Sequence, residues 1–192
     1  MVPIDTQRLH IRAFVEGDLE QVHHILTDAF GAASEDAEEA MDDRRAWLRW
    51  QIDSARWLER MKRPPYGDRA VVWRATGEVV GVVGFVPLLA PFGQLPGFDD
   101  ITDTPGITQA ELGLFWVIAR EHRGRGLATE SARAMISHAF DVLRLARVLA
   151  MTRHDNAPSV AVMRKLRMRM FTHYGEPGWL QVVGVLKNPE AR

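Results

Sequence analysis

The stretch with the strongest chemical character lies between residues 120 and 130 and reads Arg120-Glu121-His122-Arg123-Gly124-Arg125-Gly126-Leu127-Ala128-Thr129-Glu130. Glycines at 124 and 126 let the backbone adopt positive φ angles, so that successive amides can converge on one point. Arg123 and Arg125 supply positive charge. A helical pattern begins near Leu127, and the first turn of a helix presents unpaired N–H groups to an anion. This combination predicts a pyrophosphate-binding site.

Spacing limits the ligands that such a site would hold. No lysine follows Gly126, so the stretch is not the phosphate loop of a nucleoside triphosphatase. The dinucleotide fingerprint G-x-G-x-x-G is met at Gly124 and Gly126 but not at Thr129. Asp155 could imitate its ribose-binding acid, yet only one β-α-β crossover of this kind is visible. A nucleotide- or dinucleotide-binding module stays open as an alternative.

Glu111 is the candidate for general base catalysis. It begins the segment Glu111–Ile118, which is apolar on both faces and is therefore predicted to be a central strand. Strand alternation places Glu111 on the face that carries Gly113, Phe115 and Val117, where a carboxylate in otherwise apolar surroundings is unusual. A strand-end carboxylate in solvent, or one in a structural hydrogen bond, is the alternative. His154 and His173 are reserve bases.

Composition excludes several classes of chemistry. The 192 residues include no cysteine, which excludes thiol nucleophiles, thiolate zinc sites and disulfide scaffolds. No serine lies in a G-x-S-x-G elbow, and no H-E-x-x-H or comparable cluster predicts a metal. The formal net charge of -1 gives no overall attraction to nucleic acid. Residues 144–169 are locally basic, but no aromatic interleaving or nucleic-acid motif accompanies them.

The remaining sequence signals concern location. The amino terminus has no basic segment followed by an apolar stretch, so we expect no secretory signal. No apolar run approaches the roughly 20 residues that span a bilayer. We therefore expect a cytoplasmic protein without a membrane partner.

Hydrophobic periodicity predicts the elements that must position these residues. Strands are predicted at 9–14, 70–74, 79–86, 111–118, 147–152, 171–174 and 181–186, and helices at 16–27, 35–63 after a cap at Ser34, 127–142 and 157–165. Residues 87–108 are predicted to be a long loop. The order β-α-α-β-β-β-α-β-α-β-β predicts one mixed α/β domain.

One aromatic pattern lies within the second helix. Trp47, Trp50, Trp57 and Met61 are predicted to form one stripe that packs on the sheet. Lining of an acceptor pocket is the alternative. The acidic residues at the start of this helix suit a helix amino terminus and equally a cationic acceptor.

Four motifs, in chain order, resemble the GCN5-related N-acetyltransferase (GNAT) superfamily. Residues 123–128 fit R-x-x-G-x-A, its acyl-CoA pyrophosphate loop. Residues 6–12 are similar to the T-x-R-L-x-L-R opening of the branch that acetylates ribosomal-protein amino termini, and residues 111–113 resemble its E-[IL]-G strand. Residues 156–159 and 165–166 match its N-x-x-S…K-L segment. The resemblance implies a single N-acetyltransferase domain over residues 1–192, with a mostly antiparallel central sheet flanked by helices.

The resemblance also implies a binding site for acetyl-CoA. The amides around Val117, Ile118 and Ala119 would run along the pantetheine arm, where the sheet would splay to admit the donor. Asn156 would hydrogen-bond the pantetheine, and Ser159 would point towards the sulfur; both also suit plain helix capping. The pyrophosphate would be held by Arg123, Gly124, Arg125, Gly126, Leu127 and Ala128.

Two positions depart from the family pattern. Met163 stands where many relatives have a tyrosine that acts as acid for the departing thiolate, which leaves that role unassigned. A hydrogen bond from Ser159 or from water would suffice, because a thiol is a tolerable leaving group near neutral pH. Arg167 replaces the glycine of the usual K-L-G-[FM] segment, which puts the local turn in doubt.

The implied reaction moves acetyl from acetyl-CoA to a primary amine by direct attack, because the chain offers no evident nucleophile for a covalent acyl-enzyme. The acceptor is either a protein or peptide amino terminus or a small-molecule amine. An acyl-CoA-binding regulatory protein without turnover is a further alternative. No metal is expected. The oligomeric state is left open, with a homodimer among the choices.

Overall fold

The computed structural model describes residues 2–95 and 107–191. Twelve elements are used below: β1 (Ile4–Asp5), β2 (Leu9–Arg12), α1 (Leu19–Phe30), α2 (Ala37–Arg60), β3 (Gly67–Trp73), β4 (Val79–Ala90), β5 (Gln109–Ile118), α3 (Leu127–Ser137), β6 (Arg147–Thr152), α4 (Ala157–Lys165), β7 (Arg169–Thr172) and β8 (Val182–Lys187). The hydrogen-bonded strand order is β1-β2-β3-β4-β5-β6-β8-β7. The predicted mixed α/β fold with a mostly antiparallel sheet is confirmed.

The chain divides into two compact units. Unit 1 comprises Met1–Phe85 and Phe115–Met135, and unit 2 comprises Val86–Leu114 and Ile136–Arg192. The prediction of one domain over the whole chain stays a prediction. Among the helices of residues 2–95 and 107–191, none combines the length and the apolar character that a bilayer crossing requires.

Unit 1 packs α1 and α2 on an antiparallel set of strands. Its core joins Val22 and Ile25 of α1 to Ile52 of α2 and to Val82 of β4, all of them buried. The hairpin of β3 and β4 forms as predicted, although β3 begins at Gly67. This packing holds the carboxyl end of β5 and the following loop, because Ala119 donates its backbone N–H to Val80 at 2.9 Å.

Unit 2 contains the only parallel pairing with a described register, Gly113 of β5 beside Leu149 of β6. β6 also pairs antiparallel with β8 along its whole length. One buried hydrophobic cluster of unit 2 includes Phe92, Leu149, Leu180 and Val183. Because β5 and β6 run parallel, the residues two positions before Gly113 and Leu149 also lie opposite one another. These residues are Glu111 and Arg147.

The predicted cap of α2 is wrong. The helix begins at Ala37, and Asp36 is its N-cap, accepting the backbone N–H groups of Glu38 and Glu39 at 2.9 Å each. Ser34 lies outside the helix, where its hydroxyl accepts the N–H of Asp36 and donates to Glu39. An aspartate nearer the helix start competes successfully for the capping position.

The predicted packing of the aromatic stripe is also wrong. Trp50 and Trp57 are each 57% exposed, and Met61 is 55% exposed. Only Trp47 packs inward, edge-on to Phe14 with ring centroids 5.5 Å apart. α2 buries instead the face that carries Leu48, Gln51 and Ile52.

Several other boundaries move. The first helix starts as a 3-10 turn at Glu16–Asp18 before α1, and α3 ends at Ser137, where a π-helical segment, His138–Val142, replaces the predicted α-helix. β4 continues to Ala90, so the predicted loop begins later than residue 87. Residues 96–106 of that loop lie outside the described part of the chain.

Candidate functional site

The backbone of residues 123–128 has the form that the sequence predicts. Gly124 and Gly126 have φ angles of 77° and 80°, in the left-handed region that favours glycine. α3 begins immediately after Gly126, and the backbone N–H of Glu130 donates to the carbonyl of Gly126 at 3.0 Å. Within the described chain, the amides of residues 124–128 donate to no protein acceptor. These five consecutive free N–H groups, three in the loop and two in the first turn of α3, provide donors for an anion.

Arg123 is engaged by two protein partners. Its Nη2 donates to Asp28 of α1 at 2.6 Å, and its Nε donates to the carbonyl of Ile118 at 3.0 Å. The ion pair with Asp28 compensates its charge. Arg123 therefore fastens the start of the loop to α1, and its predicted contact with the pyrophosphate stays a prediction.

Arg125 keeps its charge available. Its guanidinium lies over the ring of Trp73, with 5.5 Å between the guanidinium carbon and the ring centroid. No carboxylate of the described residues lies within 4 Å of it. The aromatic face orients the cation without cancelling it, so Arg125 is the arginine of the loop that can contact a phosphate.

Three residues behind the loop had no predicted role. Thr6, Arg8 and Glu130 form one hydrogen-bonded group, and Arg8 also donates to the Arg125 carbonyl at 3.0 Å. The resemblance included Thr6 and Arg8 within its opening motif but assigned them no contact. Glu130 is 122 residues from Arg8 and 124 residues from Thr6 in sequence, so no local pattern could have revealed the contact.

The strand before the loop agrees only in part with the predicted pantetheine contacts. The backbone N–H of Ala119 already donates to the carbonyl of Val80, so this N–H is not available to a pantetheine arm. The predicted place of Ala119 beside the arm otherwise stays a prediction. Backbone approach is close here, because a Cβ on Gly81 would lie 2.5 Å from the carbonyl oxygen of Val117. The contacts proposed for Val117 and Ile118 stay predictions.

Glu111, in unit 2, is held by an arginine that the sequence analysis did not connect with it. Arg147 Nε lies 3.1 and 3.0 Å from the two Glu111 carboxylate oxygens, and Nη2 lies 2.5 Å from Oε1. The pairing of β5 with β6 places them side by side. The Glu111 side chain is 9% exposed. The contact with Arg147 is the structural hydrogen bond that the sequence left open as the alternative, and the role of Glu111 as base stays a prediction.

Asn156 and Ser159 form the amino-terminal cap of α4. The Asn156 side-chain oxygen accepts the Ser159 backbone N–H at 3.1 Å. This confirms the capping arrangement that their sequence positions predict. Among the described residues, the Asn156 amide nitrogen and the Ser159 hydroxyl have no protein partner. Both groups can therefore serve a ligand while the cap stays formed.

The two departures from the family pattern have clear structural settings. Met163 is fully buried and packs close to Gly184 of β8. It therefore fills core volume where the family places a polar hydroxyl. Arg167 has a φ angle of 61°, so it takes the left-handed backbone conformation that the family glycine would adopt without a steric cost.

His154 and His173, the alternative candidates for the base, both contact the segment between β7 and β8. His154 stacks on Tyr174 at 4.5 Å between ring centroids, and its Nε2 lies 2.9 Å from the carbonyl of His173. His173 Nε2 in turn lies 3.2 Å from the carbonyl of Glu176. These contacts fix both rings in structural positions.

One group of described side chains could ligate a metal. Glu78, Glu121 and His122 have ligand atoms within 4.8 Å of one another, and His122 Nε2 lies 3.5 Å from a Glu78 carboxylate oxygen. The His122 ring also packs against Trp73. The expectation that the chain works without a metal stays a prediction.

Comparison with solved structures supports the fold. The ribosomal-protein-S5-alanine acetyltransferase from Vibrio fischeri has a TM-score of 0.69 at 12% identity, with 100% of each chain covered. RimL, a ribosomal L7/L12 alpha-N-protein acetyltransferase in complex with coenzyme A, has a TM-score of 0.61 at 16% identity, with 95% of each chain covered. Similarities at these identities concern the fold alone.

Sequence comparison extends this similarity to the family. The uncharacterized N-acetyltransferase YnaD of Bacillus subtilis (strain 168) is 35% identical over 54 residues, which make up 28% of this chain and 32% of that protein. The chain thus matches about a third of this curated relative's length. A family model described as the acetyltransferase (GNAT) domain matches residues 8–169. The chain therefore belongs to the GNAT acetyltransferase family.

Proposed function

We propose that this protein is an N-acetyltransferase that moves acetyl from acetyl-CoA to a primary amine by direct attack. The observation that carries the proposal is the row of five free amides at residues 124–128, which runs from the loop into the first turn of α3. These donors, together with Arg125, suit the pyrophosphate of acetyl-CoA. Family membership favours this donor over the nucleotide or dinucleotide that the sequence alone left open.

The rest of the donor would be held by backbone and cap groups. Val117 and Ile118 would offer backbone groups to the pantetheine arm, and the Asn156 amide nitrogen would donate to one of its carbonyls. The Ser159 hydroxyl would donate to the sulfur as the thiolate leaves. This assignment is supported by the hydrogen-bonding capacity that Asn156 and Ser159 retain while they cap α4.

Acetyl transfer requires an uncharged amine. An ammonium must lose one proton before its nitrogen can attack the thioester carbonyl carbon. A C–N bond then forms, and the nitrogen of the tetrahedral adduct loses a second proton to water. The adduct collapses, and the C–S bond breaks to release CoA thiolate. We assign proton acceptance to Glu111, directly or through one water. Its fixed orientation by Arg147 supports this role, because the two-point contact restricts where the carboxylate can lie.

The acceptor is proposed only as a class. The ribosomal-protein acetyltransferases among the structural neighbours suggest a protein amino terminus, and a small-molecule amine is the competing acceptor. Asp36, Glu38 and Glu39 are exposed acids at the start of α2, and they could attract either cationic acceptor.

A thiol-release assay tests the proposal. Because the protein has no cysteine, every thiol that appears must come from the donor. Acetyl-CoA is offered with peptides that have free amino termini, with the same peptides already acetylated, and with small primary amines. We expect thiol release only with free amines. Acetyl-CoA binding without release for any acceptor would favour the acyl-CoA-binding regulatory protein.

A thermal-shift comparison tests the donor separately. A ligand at a hundred times its Kd stabilises the folded state by about 2.7 kcal/mol, which for this size corresponds to roughly 2–4 °C per kcal/mol. We expect a shift with acetyl-CoA and with CoA. A shift with NAD or ATP alone would overturn the donor assignment.

A further inference from the structure

We propose that Arg8 is a positioning residue that shapes the loop of residues 123–128 for the donor pyrophosphate, and that Thr6 and Glu130 hold it in place. The inference rests on the proposed acetyl-CoA site. Arg8 immediately precedes β2, and the four residues Thr6, Arg8, Arg125 and Glu130 all lie in unit 1.

The first argument concerns the orientation of one peptide group. A loop that offers its amides to an anion must turn the intervening carbonyl oxygens away, because they carry partial negative charge. Arg125 lies between the two glycines with positive φ, and its carbonyl accepts a hydrogen bond from Arg8 Nη1 at 3.0 Å. This bond holds the oxygen towards Arg8 and keeps it from turning towards a phosphate.

The second argument concerns charge. Glu130 lies in the first turn of α3, where its carboxylate would repel a bound anion. Arg8 compensates it, with Nε 2.7 Å and Nη2 2.6 Å from Oε2. Burial raises the pKa of Glu130, but hydrogen bonds from Thr6 and Arg8 outweigh burial and lower this pKa below its usual range. Glu130 is thus charged at neutral pH, and the Arg8 cation is needed.

The third argument explains why the residue is an arginine. Nε and Nη2 serve Glu130, while Nη1 serves the Arg125 carbonyl, so one guanidinium connects a carboxylate and a backbone oxygen at once. A lysine presents a single ammonium and cannot reproduce this three-atom arrangement. Thr6 completes the group by donating its hydroxyl to Glu130 Oε1 at 2.6 Å.

Calorimetric titration with acetyl-CoA tests the proposal on the full chain. We expect Arg8→Met to weaken binding by about tenfold or more, the typical effect of losing charged hydrogen bonds. Arg8→Lys should give an intermediate loss. The matched control is Arg56→Met, which removes an exposed arginine ion pair of α2 and should leave the affinity within about twofold. Inorganic pyrophosphate, used as a competitor, should weaken in the same proportion as acetyl-CoA.

Rescue separates positioning from general stabilisation. In Arg8→Met the Glu130 charge is uncompensated, so adding Glu130→Gln should recover several-fold of the lost affinity and reduce its salt dependence. If Arg8 only stabilised the fold, the second substitution would add no recovery. Unchanged acetyl-CoA affinity in both Arg8→Met and Arg8→Lys, or the absence of rescue, would overturn the proposal. If Arg8→Met fails to fold, unchanged binding by Arg8→Lys alone overturns it.

Failure of the donor assignment gives a different result. In that case the unaltered protein binds neither acetyl-CoA nor pyrophosphate, which overturns the proposed function together with the role of Arg8. If the unaltered protein binds acetyl-CoA and the variants bind it equally well, the function stands and only the positioning role is lost.

Discussion

The loop of residues 123–128 and the Glu111–Arg147 pair are built in opposite ways. The loop works through backbone amides, and two glycines with φ near 80° within a six-residue stretch make its form possible. The pair works through two side chains, 36 residues apart, that meet only because β5 and β6 run parallel. Chemistry of the backbone can be recognised in a short sequence motif, whereas chemistry of paired side chains depends on strand register.

This difference also determines how each region should fail. A change in the loop alters the shape of a binding surface, which weakens donor binding. A change at Glu111 alters one functional group and leaves the backbone unmoved. Substitutions in the two regions should therefore separate loss of donor binding from loss of turnover.

Glu111→Gln should lower kcat by about 100-fold or more, because loss of a general base typically costs that much. Glutamine has nearly the same shape, so the Kd for acetyl-CoA should stay within about twofold. The measurement is thiol release from pH 6 to 9, beside calorimetric binding of acetyl-CoA. Turnover within about twofold of the unaltered protein across this range would remove Glu111 as the base.

The control for this experiment addresses Arg147. Glu111→Gln leaves the arginine without its carboxylate, which could reduce stability and so lower activity indirectly. Adding Arg147→Met removes the uncompensated charge. We expect the double variant to regain thermal stability but not activity. Recovery of activity with stability would assign the pair a structural role.

Gly126→Ala should weaken acetyl-CoA binding by about tenfold while kcat at saturating donor is retained. Gly126 has a φ of 80°, and a side chain in that conformation costs about 1–3 kcal/mol. Gly17→Ala is the matched control, because Gly17 lacks a left-handed φ and a Cβ there would meet no atom within 4 Å. Equal effects of the two substitutions on the Kd would contradict the loop assignment.

The elements and the loop could be predicted because their signals are local. β6 and α4 have the bounds that periodicity predicts, and the two glycines of the loop have the predicted φ. Contacts between distant residues could not be predicted. Asp28 compensates Arg123 from α1, and Val80 occupies the amide of Ala119 from β4. Both contacts arise from tertiary pairing, which a local pattern does not encode.

The exposed tryptophans show a second limit. Spacing correctly assigned Trp50 and Trp57 to one helix but not to a face, because the buried face of α2 is chosen by its partners in the core. Gln51 lies on that buried face, and it is polar. It is retained there by hydrogen bonds with Asp68. Hydrophobic periodicity assigns Gln51 to the exposed face of α2 because it is polar, and it assigns Trp50 and Trp57 to the buried face. The structure shows the reverse.

Asp68 is a second largely buried carboxylate. Unlike Glu111, it has no two-point contact with an arginine of the described residues. Burial raises the pKa of Asp68 to about 6, against a smaller lowering by Arg69. A carboxyl with a raised folded-state pKa contributes stability below its unfolded pKa of about 3.9, and this stability is lost as pH rises through about 6. Asp68→Asn should therefore increase the free energy of unfolding by about 1–2 kcal/mol at pH 7.5 and change it little at pH 4.

Chemical denaturation at several pH values measures this effect. Asp53→Asn is the control, because Asp53 is an exposed carboxylate of α2 in a long 3.7 Å ion pair, for which a change of about 0.5 kcal/mol or less is expected at any pH. A difference between Asp68→Asn and the unaltered protein that does not vary from pH 4 to 7.5 would show that its carboxyl titrates normally in the fold.

Arg167→Gly should have the smallest effect. Arg167, in unit 2, has a positive φ like the two glycines of the loop. Arg167 has a φ of 61° immediately after α4, a conformation that costs a non-glycine residue about 1–2 kcal/mol. Glycine removes this strain but adds entropy to the unfolded chain, so we expect a net stabilisation of about 0.5–1 kcal/mol. Arg164→Gly, inside α4, should destabilise by about 1 kcal/mol. Opposite shifts in Tm would show that backbone conformation decides where glycine belongs, whereas a loss of stability in both variants would mean that Arg167 makes a contact whose energy exceeds its backbone strain.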